Sequence, residues 1–297
     1  MTRPITAGVD GSPEARAAAD WAAVEAERRG LPLRLVHAWI TEPIFVPPMP
    51  DEEAARALLD ETSDALAATH PGLTITTEMV PEVATTGLIN KAADSEMLVL
   101  GSRGHSAIVG FLLGSVGLPV IAHTRRPVVM VRSGTRERAD EGDEVVVAIK
   151  DAGPAAQPLL DFAFTAAVAR GATVRAVRAW GTPSLFGAEV PGSVEENAAA
   201  AVDLEAVESG VLTDVLMPWR ERYPDVPVVE QARFGNAAEV LLSAAAFRAG
   251  LVVVGRRLHR PVLGMRVGPV VHAALHHARS PVAVVPYDNE QEGPGEE

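Results

Sequence analysis

The run Gly101-Ser-Arg-Gly104-His-Ser-Ala-Ile-Val-Gly110-Phe-Leu-Leu-Gly114-Ser115-Val116 combines residue types suited to holding phosphate. Glycine at 101, 104 and 114 lets backbone N–H groups approach phosphate oxygens with no Cβ in the way. Ser115 adds a hydroxyl donor, and a helix beginning there turns the positive end of its dipole toward an anion. Arg103 and His105 sit in the same loop, where each either meets an anion or stands solvated. Asp10 reads either as a ligand-facing residue or as a turn aspartate after a strand, a place where aspartate is common. His272 and His276 are four residues apart, a spacing that could share a metal. No third ligand accompanies them, so the pattern reads as a solvated helix face. The chain has no GxxxxGK[ST] loop and no Lys, Arg and acid set typical of phosphoryl transfer, which favours binding over turnover.

Such residues need strands and helices to hold them, and in the first half short apolar runs alternate with longer amphipathic ones. Ile5 to Val9, Leu33 to Ala38, Thr74 to Val80, Met97 to Leu100 and Pro127 to Val131 are predicted strands, the last two as continuous buried runs. Glu14 to Arg29, Asp51 to Thr69, Val83 to Ala93 and Ser115 to His123 are predicted helices. Ser12 before Pro13 marks a helix start, because a hydroxyl caps orphan N–H groups and proline tolerates the first helical position. Strand alternating with helix implies right-handed crossovers and a parallel sheet. Ligands of such sheets settle outside the carboxyl ends of the strands, and the glycine-rich run follows Leu100 at such an end.

The chain repeats itself once. Ile5 to Trp39 aligns without gaps on a later stretch at an offset of 141, which places Asp10 on Asp151, Pro13 on Pro154, Gly30 on Gly171 and Trp39 on Trp180. The stretch from Gly101 aligns on that from Gly255 at an offset of 154, so the second copy carries 13 extra residues, expected in the loop and helix after Trp180. Arg103 falls on Arg257 and His105 on His259, but Gly104 becomes Leu258 and Ser115 becomes Pro269. Proline removes a hydroxyl and a backbone N–H, and leucine brings a side chain into the loop. Losing two hydrogen bonds to a charged phosphate weakens binding on the order of a hundredfold to ten-thousandfold. The second copy is therefore expected not to hold such an anion. Lys150 stands where Val9 stands in the first copy.

The length of 297 residues suits two domains. These are expected at residues 1–132 and 144–286, with a polar linker at 133–143 and an acidic tail at 287–297. Hydrophobic residues make up 47% and charged residues 22%, values of a globular chain that exclude wholesale disorder. With 26 basic against 39 acidic residues, the net charge of −13 argues against a nucleic-acid or anionic-membrane partner. An aromatic content of 4% leaves no stacking platform for single strands. The absence of cysteine excludes disulfides and thiolate chemistry. The longest apolar runs, such as Leu251 to Val254, are strand-sized and too short to cross a membrane. The start MTRPITAGVD shows no signal-peptide pattern, so the expected location is the cytoplasm.

The pattern Gly, two residues, Gly, nine residues, Gly, Ser resembles the ATP-binding signature of the universal stress protein family. VDGSPEARAA at the first strand end, LVHAW at the second and RRPVVMV at the close of the first half are similar to that family as well. The resemblance covers essentially the whole chain as a tandem, and implies two flavodoxin-like (Rossmann-like) α/β domains, each a five-stranded parallel sheet flanked by helices. It implies that Gly8, Val9 and Asp10 line the adenosine side of an ATP site and that Ala38 packs on the base. Leu100, Gly101, Arg103 and Gly104 would flank ribose and phosphates. Gly114, Ser115 and Val116 would hold the triphosphate together with Mg2+; no protein ligand to the metal is assigned. The family's ATP-binding members usually dimerise, which here implies an intramolecular pair joined through Pro127 to Val131 and Pro281 to Val285, apolar strands that otherwise leave exposed sheet edges. A homodimer of the whole chain is a further expectation. Three functional readings follow: an ATP-binding regulatory or stress-response module acting on a protein partner, a slow ATPase or phosphotransferase assisted by Asp10, His105 or Arg103, and a structural partner-binding protein with a vestigial site. No catalytic residue is assigned.

Overall fold

The structure, a computed structural model, describes residues 2–39, 52–102, 116–133, 143–181, 194–258 and 267–288, with backbone alone over 194–203. The first half runs β1 (Ile5–Gly8), α1 (Pro13–Arg29), β2 (Leu33–Ala38), α2 (Glu52–Thr69), β3 (Ile75–Val80), α3 (Ala84–Ala93), β4 (Met97–Ser102), α4 (Gly117–His123) and β5 (Val128–Arg132). The second runs β6 (Glu144–Ala148), α5 (Gln157–Arg170), β7 (Thr173–Trp180), α6 (Val194–Arg222), β8 (Val228–Phe234), α7 (Ala237–Ala244), β9 (Ala249–Arg257), α8 (Pro269–His277) and β10 (Val282–Tyr287). The predicted strands and helices of the first half are all present. β4 runs two residues past its apolar stretch because Gly101 and Ser102 pair with Val131 and Arg132, and backbone pairing is indifferent to side-chain polarity. The start of α4 was expected at Ser115, which lies outside the described residues; the helix is described from Gly117. Most of the 13-residue insertion is a longer helix, since α6 has 29 residues where α2 has 18.

Local chemistry sets the helix ends. Ser12 caps α1 by accepting from the Ala15 N–H at 3.2 Å, with Pro13 following in the first turn. Gly30 closes the helix at φ 61°, a left-handed conformation that a side chain resists, and Gly171 closes α5 at φ 62°. Gly153 replaces Ser12 in the second copy, no hydroxyl is present to cap, and α5 is entered through a short 3₁₀ turn at Pro154–Ala156.

The ten strands among the described residues form one sheet in the order β3-β2-β1-β4-β5-β10-β9-β6-β7-β8. Within each half every neighbour is parallel, and the order 3-2-1-4-5 is the Rossmann one of the two that the expected class spans. The halves join where β5 meets β10 antiparallel, with Val282 opposite Met130, Ala283 opposite Val129 and Val284 opposite Val128. One apolar cluster packs α1, α2, α5 and α6 on one face, and a second packs α3, α4, α7 and α8 on the other. Both clusters run unbroken across the junction.

Arginines fasten the junction. Arg132 Nη2 donates to the Leu275 carbonyl at 2.6 Å near the end of α8, and Arg256 Nη1 donates to the Ala122 carbonyl at 3.2 Å near the end of α4. Positive charge at a helix C-terminus complements its dipole. On the opposite face α1 meets α5, where Arg29 lies 5.4 Å over the Phe162 ring and Arg170 lies 5.4 Å over the Trp21 ring. These pairs are equivalent under the offset of 141. Glu25 breaks the equivalence, because Ala166 stands at its counterpart. Its carboxylate, 1% exposed, accepts from Arg29 Nε at 2.6 Å and from Arg170 Nη1 at 2.9 Å. Burial raises its pKa, but the charges and hydrogen bonds of Arg170 and Arg29 together outweigh burial and hold the pKa below the ordinary 4.5.

Removing the carboxylate leaves two buried guanidinium groups without their counter-ion, so Glu25→Ala is expected to lower the unfolding free energy by about 3–5 kcal/mol in urea titration. Because the folded pKa is depressed, the ion cluster stabilises the protein above about pH 4.5 and loses that contribution as pH falls through the folded value. Acid titration of the wild type and of Glu25→Ala is expected to converge there.

Candidate functional site

In the first half β1 and β4 are neighbours whose following helices lie on opposite faces of the sheet, which opens a crevice at their carboxyl ends. Gly8 ends β1 beside Leu100, and a Cβ at Gly8 would come 2.7 Å from Leu100 Cδ2. Leu100 itself is buried in the apolar cluster beneath the crevice. The Val9 N–H donates to the Val36 carbonyl at 2.8 Å, and His37 Nδ1 donates to the Val9 carbonyl at 2.7 Å. Asp10 Oδ1 accepts from the Ser12 N–H at 3.0 Å and from Ser12 Oγ at 2.6 Å, which orients the hydroxyl that caps α1.

Gly101 has a packing role. A Cβ there would sit 2.4 Å from the carbonyl carbon of Glu14 and 2.6 Å from the Ala15 nitrogen, so glycine lets the end of β4 press against the first turn of α1. Ala38 ends β2, half-buried one strand away, and Val116 forms the turn into α4 with its carbonyl accepting from Val120 at 3.1 Å. Gly8, Val9, Asp10, Leu100 and Gly101 are thus gathered at one strand end, with Ala38 and Val116 on its flanks. Arg103, Gly104, His105, Gly114 and Ser115 lie outside the described residues.

The matching position in the second half holds a cavity of about 680 Å³. Asp151 and Arg257, the counterparts of Asp10 and Arg103, meet in its wall: Arg257 Nη2 donates to Asp151 Oδ2 at 3.1 Å, and Arg257 Nε donates to the Tyr287 hydroxyl at 3.3 Å. These two hydrogen bonds, Tyr287 first, hold the Arg257 pKa above its ordinary value. Gly268 caps α8 without a side-chain bond, and Pro269 follows in the first turn. Tyr287 escapes sequence reasoning because it stands where the polar tail begins, yet β10 runs through it and its ring lies against Gly255. The Asp151–Arg257 pair was legible in principle, since both offsets carry a matching residue into register. Among the described residues no group of three or more His, Asp or Glu could hold a metal, and no helix is long and apolar enough to cross a membrane.

A single sheet built from two Rossmann-like α/β units, each with a crevice at its own strand ends, defines a tandem doubly wound protein. The family model described as "Universal stress protein family" matches residues 1–132 and 143–286, and the chain belongs to that family. It is similar to Universal stress protein Rv2005c of Mycobacterium tuberculosis, at 33% identity over 94% of this chain and 96% of the relative. Universal stress protein Rv2623 of the same organism is 31% identical over 94% of this chain and 95% of the relative. Among solved structures, a universal stress protein from Archaeoglobus fulgidus superposes with a TM-score of 0.63 over 96% of this chain and 99% of that one, at 16% identity, a likeness of fold.

Because a Cβ at Gly101 meets backbone and not a side-chain tip, Gly101→Ala is expected to destabilise the protein by about 3 kcal/mol in urea unfolding. Gly72→Ala, where a Cβ meets nothing within 4 Å, is expected to change stability by less than about 0.5 kcal/mol.

Proposed function

We propose that the first half binds ATP and that the protein is a cytoplasmic regulatory module of the stress response, whose nucleotide state is read by a protein partner. The observation that carries this reading is positional. In sequence, Gly104, Gly110, Gly114 and Ser115 fall between Ser102, the end of β4, and Gly117, the start of α4, and β4 lies beside β1 where the strand order reverses. The crevice suits a nucleotide: Gly8 and Ala38 keep two strand ends low, and the capped start of α1 stands beside them. In this reading Gly8, Val9 and Asp10 line the adenosine, Ala38 packs on the base, and Leu100, Gly101, Arg103 and Gly104 flank ribose and phosphates. Gly114, Ser115 and Val116 hold the triphosphate, and a divalent ion such as Mg2+ travels with it to offset charge.

Calorimetry is expected to give close to one ATP per chain, and ATP at a hundredfold its dissociation constant should add about 2.7 kcal/mol of stability. Gly114→Leu is expected to abolish binding by filling the phosphate position, whereas Ser115→Ala, which removes one hydroxyl donor, weakens it about tenfold. Two equivalent sites, or full binding by Gly114→Leu, would overturn the assignment to the first half.

A further inference from the structure

The cavity of the second half has the position of a nucleotide crevice without its chemistry. The residues lining it include Ile149, Leu159, Val177, Leu241 and Val254, apolar side chains drawn from both faces of the sheet. Ala148 and Ala179, at the carboxyl ends of β6 and β7, are half-buried and line the cavity, and their small size keeps the space open. The charged side chains lining it among the described residues are Lys150 and Arg257 against Asp151 and Asp288, two of each sign. The guanidinium that would meet a phosphate is bonded to the Asp151 carboxylate and the Tyr287 hydroxyl. The two cations are matched by two carboxylates, so the lining offers a polyanion no net positive charge, and Pro269 offers it no N–H.

We propose that this cavity binds an uncharged, largely apolar small molecule in place of a phosphate ester. Its volume of about 680 Å³ is that of an ordinary small-molecule site, in which apolar walls supply affinity and a few polar groups fix orientation. Here the polar groups are the edge formed by Asp151, Arg257 and the Tyr287 hydroxyl. They present acceptors and donors of balanced charge, suited to a hydroxyl, an amide or a ring nitrogen. The two halves of one chain thus carry sites for opposite kinds of ligand.

The test uses the full-length protein and N-phenyl-1-naphthylamine, an uncharged dye that brightens in apolar surroundings. Saturable binding at one dye per chain, unaffected by millimolar ATP, is the expected result. Ala179→Trp, which fills the cavity from β7, should weaken dye binding at least tenfold, and Ala148→Phe, filling it from β6, should do the same; circular dichroism shows which variant is folded. Displacement of the dye by ATP overturns the proposal, as does dye binding that survives in either folded variant, or no binding by the wild type.

Discussion

Because β5 and β10 pair antiparallel, every strand of the first half runs against every strand of the second. The carboxyl ends of the two parallel sets therefore lie on opposite edges of one sheet, and the two crevices face away from each other. The same pairing removes two edges that each half would otherwise expose, and lets each apolar cluster continue from one half into the other. It also fixes where the short α4 ends. That helix has seven residues, about 10 Å at 1.5 Å per residue, and its last carbonyls lie against Arg256, next to the Arg257 that lines the far cavity.

The frame is nearly two-fold symmetric and its contents are not. Arg29 over Phe162 repeats as Arg170 over Trp21, but a single carboxylate, Glu25, serves both cations. In a dimer of identical chains the residue at that position would appear twice. Joining the copies covalently lets each position be chosen once. The same freedom shows in the sequence, where Val9 and Ser115 of one copy align with Lys150 and Pro269 of the other. Symmetry persists in the arginine–aromatic pairs and lapses both at the buried carboxylate between them and in the residues aligned at the strand ends.

Much of the fold was legible because its signals are local. Ser12 with Pro13 announces a helix start through hydrogen bonding and backbone conformation that the residues themselves dictate. Runs such as Pro127 to Val131 announce buried strands by hydrophobicity. Where legibility failed, the cause was non-local. The extension of β4 depends on its partner β5, and the packing role of Gly101 on the first turn of α1. Glu25 with Arg29, spaced four apart, reads as an ordinary surface pair until α5 covers it with Arg170. At the candidate site the strand-end residues were named through the family resemblance, and the position of the crevice through the alternation of strand and helix. The cavity was not legible, because it is made by the small size of Ala148 and Ala179 and by a tyrosine supplied from the last strand.

The joining strands lie at the ends of their halves in sequence as well as in space. Met130 pairs with Val282, 152 residues later. During synthesis at 5–20 residues per second, the first half is complete roughly 8–30 seconds before its partner strand leaves the ribosome. Throughout that interval the β5 edge and the buried face of α1 are open to solvent and to other nascent chains. The covalent link then raises the local concentration of the right partner as soon as it is made. The order of the elements along the gene thus sets a race between closure within one chain and exchange between chains.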